Sequence, residues 1–189
     1  MDKIVIYDNV LNESELSQLD KNIVSFKWSY AGVSDSKSPV STKFWYSELF
    51  DNLFFTETLK QKIEKITNKK FKIDRVYANG QTFGQDGTYH KDNESDSPHI
   101  YTFCLYTNPH VTEETAEHMG GDIVFKLTEE NNMDNIISIE SHYNRAVFFP
   151  SNYLHKGMAY NRYCKSLRVS IAWKLTEIVE SESSMETPD

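Results

Sequence analysis

Residues 166–175 read SLRVSIAWKL. An extended backbone sends successive side chains to opposite sides. A strand here therefore puts Arg168, Ser170 and Ala172 on one face and Val169 and Ile171 on the other. Working back from this segment, seven more runs have the same short, β-branched and aromatic character: FKIDRVYAN (71–79), GTYHKD (87–92), HIYTFCLYTN (99–108), GDIVFKL (121–127), IISIES (136–141), RAVFFP (145–150) and LHKGM (154–158). Gly, Pro, Asn or Asp punctuates them, as turns require. About eight strands with no helix among them predict an antiparallel barrel or a double-sheet jelly roll.

The N-terminal part has a different pattern. KIVIYDNVL (3–11) reads as a strand, and Asn12 with Glu15 three positions on makes a capping box for a helix reaching about Ile23. Residues 31–43, AGVSDSKSPVSTK, form a polar loop. In FFTETLKQKIEKITN (54–68), Leu59, Ile63 and Ile66 fall at helical spacing. The expected architecture is mainly β, with two or more N-terminal helices packed on the outer face of one sheet. One domain spans 1–175, its jelly-roll core from about 70, and the acidic stretch 176–189 is expected to be a disordered tail.

The chain has 189 residues, 13% of them aromatic, and a formal charge of -8. That length can bury one substantial core. The negative charge argues against a nucleic-acid partner, which would call for a basic face. No run approaches the roughly 20 apolar residues of a membrane span, and the first residues carry no signal-peptide pattern. The cytoplasm is therefore the expected compartment. Of the two cysteines, Cys104 is expected to be buried and structural, and Cys164 to lie in a polar, exposed stretch.

Within GQDGTYHKD (84–92), an extended TYHKD turns His90 and Asp92 to the same side and Lys91 to the other. An imidazole and a carboxylate so placed can take adjacent corners of an octahedral ion, and a second imidazole completes a facial triad with three open positions. His155, just after the apolar run ending at Pro150, is the candidate. A surface pair at His90 and Asp92, and a turn-capping His155, are the plainer readings of those residues taken singly. An inward Arg168 beside Ser170 suits a carboxylate held in a closed pocket, because the guanidinium fork donates two parallel hydrogen bonds and keeps its charge. An ordinary salt bridge at a barrel mouth is its plainer reading.

These pieces occur in the order of a known family. HxD at His90 and Asp92, a distal His155, and Arg-x-Ser at Arg168 and Ser170 are accompanied by LYTN (105–108), GGDIVF (120–125) and VFFPS (147–151). The chain resembles the 2-oxoglutarate and Fe(II)-dependent dioxygenases, in particular their prolyl 4-hydroxylase-like branch, over about residues 70–175. The resemblance implies a double-stranded β-helix of the cupin type, with Fe(II) held by His90, Asp92 and His155. It also implies 2-oxoglutarate as cosubstrate, bound by Arg168 and Ser170 with the Tyr106 hydroxyl, in a pocket lined by Thr102 and Ile123. Dioxygen as oxidant and ascorbate as reductant come with it. Tyr77 and Tyr101 rival Tyr106 for its part. Thr107 stands where the family has an apolar residue, and Arg168 lies farther than usual from the distal histidine.

A carboxylate at Asp92, where the related halogenases have a small residue, implies hydroxylation rather than halogenation. The implied substrate is a prolyl or other side chain in a peptide or protein, with a small molecule as the alternative. A rival of another class is a non-catalytic jelly-roll module that holds a metal and recognises a carboxylated ligand. His99, His110, His118 and His142 have acidic neighbours and are expected to be solvated. The segment 108–121 and the loop 31–43 are expected to be mobile covers at the barrel mouth.

Overall fold

The computed structural model describes residues 3–128 and 134–179. Strand β1 (Val5–Tyr7) leads into helix α1 (Glu13–Ile23), whose predicted cap is present in both directions. Asn12 Oδ1 accepts from the Glu15 N–H at 2.9 Å, and Glu15 Oε2 accepts from the Asn12 N–H at 2.8 Å. Two orphan donors at the helix start are thus satisfied. Strands β2 (Ser29–Gly32) and β3 (Phe44–Glu48) follow. A π-helical turn at Phe54–Thr58 then runs into α2 (Leu59–Thr67), which ends where Asn68 takes a left-handed conformation.

The remaining elements are β4 (Phe71–Gln81), β5 (Ile100–Tyr106), the single-turn α3 (Ala116–Met119), β6 (Ile123–Thr128), β7 (Asp134–Ile139), β8 (Ala146–Pro150), β9 (His155–Gly157) and β10 (Arg168–Glu177). They form a seven-stranded sheet in the order β1-β8-β5-β10-β4-β3-β2 and a three-stranded sheet in the order β7-β6-β9. Every pairing is antiparallel. This is the predicted mainly β, double-stranded β-helix architecture.

The period of two divides the large sheet between two apolar clusters. On its outer face Val169, Ile171, Trp173 and Leu175 of β10 join Tyr101, Phe103 and Leu105 of β5 and Phe148 of β8 against Leu19 of α1 and Leu59 and Ile63 of α2. Each fully buried large apolar side chain there contributes about 1.5–3 kcal/mol. Trp173 Nε1 also donates to the Phe55 carbonyl at 3.0 Å, so the helical layer is fixed in register with β10. On the inner face Cys104, Tyr106, Val147 and Phe149 meet Ile123 and Phe125 of the small sheet. The helices thus cover one face, and the space between the sheets lies on the other.

Several expectations need correction. GTYHKD is not a strand: His90 makes one isolated bridge to His155, and the N–H groups of Asp92 and Asn93 both donate to the Ser151 carbonyl, at 2.9 and 3.0 Å. Two further strands, β2 and β3, flank the predicted polar loop, and β2 takes in its first two residues, Ala31 and Gly32. A helix, α3, interrupts the run of strands. The segment 108–121 is packed: Val111 and Ala116 are buried with Tyr160, and the Tyr143 N–H donates to the Val111 carbonyl at 2.7 Å. Thr176 and Glu177 belong to β10 instead of the tail. Glu177 pairs with Lys69 at 2.6 Å and His99 at 3.1 Å, the Ile178 N–H donates to the Lys70 carbonyl at 2.8 Å, and residues 180–189 of the predicted tail lie outside the described residues.

Candidate functional site

A cavity of about 560 Å³ opens between the sheets. Register explains its lining. On β10 the inward face is Arg168, Ser170, Ala172 and Lys174, opposite Tyr106, Cys104 and Thr102 on β5 and Gln81, Asn79 and Tyr77 on β4. Ile123, His155 and Gly157 close it from the small sheet.

At one end, ligand atoms of His90, Asp92 and His155 all lie within 4.8 Å of one another. His90 and His155 come together through paired backbone bonds, N–H to carbonyl in each direction at 2.9 Å. Their outer ring nitrogens are also held: His90 Nδ1 lies 3.0 Å from the Thr88 carbonyl and His155 Nδ1 2.8 Å from the Tyr153 carbonyl. A carbonyl can only accept, so each Nδ1 carries the proton and each Nε2 presents its lone pair inward. Burial lowers the His155 pKa to about 4 against the opposing pull of Asp92, which keeps this imidazole neutral at pH 7. His90 Nε2 faces Asp92 Oδ1 at 3.4 Å, and His155 Nε2 faces Oδ2 at 3.5 Å. Two imidazoles whose Nε2 atoms face inward and one carboxylate suit a first-row dication.

Burial alone would raise the Asp92 carboxyl; the Lys174 ammonium, foremost among the opposing groups, outweighs it and holds the group well below the ordinary carboxylate value. Thr102 Oγ1 donates to Asp92 Oδ2 at 2.6 Å. Its one proton is thereby used, so the Ser151 hydroxyl, 2.9 Å away, must donate to Thr102. Lys174 pairs with the same Oδ2. Burial opposes its charge, but Asp92 and then Tyr77 leave its pKa raised.

At the other end, Arg168 is buried, 3% exposed. Its Nε donates to the Gly121 carbonyl at 2.7 Å, and its Nη1 donates to Gln81 Oε1 at 2.7 Å and to Ser170 Oγ at 3.3 Å. Among the described residues it has no carboxylate partner. The Tyr106 hydroxyl is buried without a hydrogen-bond partner, its ring 5.3 Å from the Arg168 guanidinium carbon. A buried cation lacking a counter-ion and a buried hydroxyl lacking a partner are both costly. Together they describe a place for an anionic oxygen ligand.

The predicted residues divide as follows. His90, Asp92 and His155 converge, as do Arg168, Ser170 and Tyr106. Thr102 lines the cavity but supports Asp92 at the triad end. Ile123 lines it from β6. Of the two rivals, Tyr77 faces the cavity and Tyr101 packs on the outer face against Phe71 and Phe148. Cys104 is buried as predicted, and Cys164 is half-buried. Lys91 is exposed at the rim, 3.4 Å from Glu94. His142 is buried and bonded to Glu140 at 2.9 Å, not solvated. The hydroxyl of Thr107 donates to the Val169 carbonyl at 3.1 Å, which accounts for a polar residue there. The longer path from His155 to Arg168 is taken up by a turn that seats Tyr160 beside Gly121 and still returns Arg168 to the cavity.

Sequence reasoning missed Lys174 and Gln81. Lys174 was within reach, since the alternation 168, 170, 172 continues to 174; Gln81 had no local signal.

The sequence model described as the 2OG-Fe(II) oxygenase superfamily matches residues 75–173, the span that holds His90, Asp92, His155, Tyr106, Arg168 and Ser170. Comparison with curated proteins gives no significant match. Among solved structures, similar folds include a prolyl hydroxylase in complex with a hypoxia inducible factor oxygen degradation domain peptide fragment from Trichoplax adhaerens, with TM-score 0.66, 14% identity and coverage of 92% of this chain and 83% of that one. A viral collagen prolyl hydroxylase from Paramecium Bursaria Chlorella virus-1 has TM-score 0.60, 14% identity and coverage of 94% and 97%. The non-haem alpha ketoglutarate dependent epimerase SnoN from nogalamycin biosynthesis has TM-score 0.65 at 9% identity, with coverage of 93% and 78%. These likenesses are of fold. The family model extends over more than half of the chain, and the chain belongs to the 2OG-Fe(II) oxygenase superfamily.

Proposed function

We propose that this protein is a 2-oxoglutarate-dependent Fe(II) dioxygenase that hydroxylates an unactivated C–H bond, on a prolyl or other side chain of a peptide or protein. The observation that carries the reading is the two-ended cavity. A His-His-Asp donor set lies at one end, and at the other lie a guanidinium held by neutral acceptors and, among the described residues, without a carboxylate, and a phenol hydroxyl without a hydrogen-bond partner. His90, His155 and Asp92 would hold Fe(II), which when bound supplies the dioxygen chemistry that couples 2-oxoglutarate oxidation to hydroxylation.

The chain's own residues orient and shield. The Thr88 and Tyr153 carbonyls fix both imidazoles in the tautomer that leaves Nε2 free. Arg168 receives the far carboxylate of 2-oxoglutarate, and Tyr106 and Ser170 give or take the remaining hydrogen bonds. Ile123 on β6 and Phe149, which packs on His155, line the cavity with apolar surface and keep water from it. Asp92 keeps a carboxylate where a halide would otherwise enter, which favours hydroxylation. Ala31, Gly32, Val33 and Ser34 line the opening and are placed to meet the substrate. Likeness of fold to two prolyl hydroxylases supports a side-chain substrate.

The protein incubated with Fe(II), ascorbate, dioxygen and 2-oxoglutarate is expected to yield succinate. Screening peptide and amino-acid libraries for a mass gain of one oxygen then separates a peptide from a small-molecule substrate. Complete absence of succinate, with no anaerobic 2-oxoglutarate binding, would replace this reading with a non-catalytic jelly-roll module. No described helix is long and apolar enough to cross a membrane. Two free thiols support assignment to the cytoplasm.

A further inference from the structure

Lys174 extends the inward face of β10 to the triad. Its Nζ pairs with Asp92 Oδ2, lies 3.4 Å from Thr102 Oγ1, and sits 5.6 Å from the centre of the Tyr77 ring. The side chain is 17% exposed. Oδ2 thus has three neighbours: the ammonium, the Thr102 hydroxyl at 2.6 Å and His155 Nε2 at 3.5 Å. Oδ1 faces His90 Nε2 at 3.4 Å.

An ammonium is an expensive choice for this place. Burial opposes its charge, and Arg75 stands opposite it on β4, a like-charge pairing across strands. It also meets the one carboxylate of the triad, for which a dication would compete. A neutral donor could orient Oδ2 without repelling a metal, and Thr102 already does so. What the ammonium adds is charge.

We propose that Lys174 is a positioning residue that claims Oδ2 of Asp92, leaves Oδ1 as the metal-binding oxygen, and stands in for the metal as counter-ion in the metal-free protein; this rests on the metal-site assignment above. Two consequences follow from the electrostatics. The metal-free site is stable because Asp92 already has a cation beside it. The same cation repels an incoming dication and holds its affinity down. A lysine with only a structural part would, on removal, destabilise the protein in a way that metal does not repair.

The test compares the full chain with Lys174→Met, which keeps the stem and loses the charge, and Lys174→Arg, which keeps the charge. Mn(II), stable in air and accepting the same donors, is titrated by calorimetry, and thermal unfolding is followed with and without it. Lys174→Met is expected to bind Mn(II) at least about tenfold tighter than wild type, because a neighbouring like charge is gone. It is also expected to unfold at lower temperature without metal and to gain more from saturating Mn(II). Lys174→Arg is expected to stay within about threefold of wild type in affinity, since the counter-charge is kept. Under anaerobic conditions the visible absorption of the Fe(II)–2-oxoglutarate chelate is expected to shift in Lys174→Met and not in Lys174→Arg, as Asp92 changes its mode of binding.

Unchanged or weaker Mn(II) affinity in Lys174→Met overturns the proposal. If that variant does not fold, Lys174→Gln is judged by the same criterion. Wild-type protein that binds neither Mn(II) nor Fe(II) overturns the metal-site assignment itself. Wild-type protein that binds both, with Lys174→Met indistinguishable from it, removes only the role of Lys174.

Discussion

His90 and His155 are joined by two backbone hydrogen bonds of 2.9 Å, one in each direction, which hold their rings 4.5 Å apart, centroid to centroid. The imidazole pair is therefore built by the chain and does not need a metal to assemble it. His155→Ala keeps both backbone bonds but loses one Nε2 and the ring packed on Phe125 and Phe149. It is expected to remain folded, at a cost of about 1–2 kcal/mol. Metal affinity should fall by more than about 100-fold, the upper cost of losing only a supporting contact to a ligand, and turnover should vanish. Calorimetric metal titration and thermal unfolding of the same sample check both halves.

Arg168 is the group that distinguishes the two ends of the cavity. Arg168→Ala is expected to raise the KM for 2-oxoglutarate by about 100-fold, the loss of a charge-assisted contact. Metal affinity should stay near the wild-type value, because no triad residue touches Arg168. Measuring the two constants separately tests that division.

Tyr106→Phe separates ligand binding from stability. Its hydroxyl has no hydrogen-bond partner among the described residues, so removing it is expected to leave stability within about 0.5 kcal/mol of wild type, or slightly higher. Affinity for 2-oxoglutarate is expected to fall by about tenfold, one hydrogen bond to a charged group. A large loss of stability would show that the hydroxyl serves the fold.

Gly121 has φ +86°, and an added Cβ would overlap the Tyr160 ring and Ser141 Oγ. Its carbonyl takes the Arg168 Nε hydrogen. Gly121→Ala is expected to cost about 2–4 kcal/mol from backbone strain and overpacking, and to raise the KM for 2-oxoglutarate by displacing Arg168. Gly84 has φ +83° with open space around it. Gly84→Ala is therefore the control, costing only about 1 kcal/mol for the backbone. Thermal unfolding of the two variants side by side decides it.

Glu64 offers a pH dependence away from the site. Burial raises its pKa, but Lys60 at 2.9 Å, the Phe71 N–H at 2.9 Å and Lys70 at 3.4 Å outweigh burial, and the net shift is downward from 4.5. A depressed folded-state pKa means that this stabilisation is complete above the unfolded value and disappears as pH falls through the folded one. Glu64→Gln is expected to reduce stability at pH 7 and to flatten its decline below about pH 4.5. Denaturant unfolding of both proteins across that range is the measurement.

The legible parts of this protein are those set by neighbouring residues. Alternation on β10 placed Arg168, Ser170 and Ala172 together, and the Asn12–Glu15 box started α1, because strand and helix geometry fix such relations over two to four positions. β2 and β3 escaped notice because they are short and their strand character comes from the sheet, β3 pairing with β4 and β2 in turn with β3. His90 and Asp92 face the same way as predicted, yet a single bridge and the Ser151 carbonyl hold them, and those partners lie some 60 residues away in the chain.

By itself the sequence determined which side chains of each strand share a face, since that follows from the stereochemistry of an extended backbone. Only the tertiary structure decided which faces meet. Thr102 and Lys174 converge on one oxygen of Asp92, and Gln81 and the Gly121 carbonyl hold Arg168. Such meetings depend on strand register and on the packing of two sheets, where a shift of one residue would turn every inward group outward.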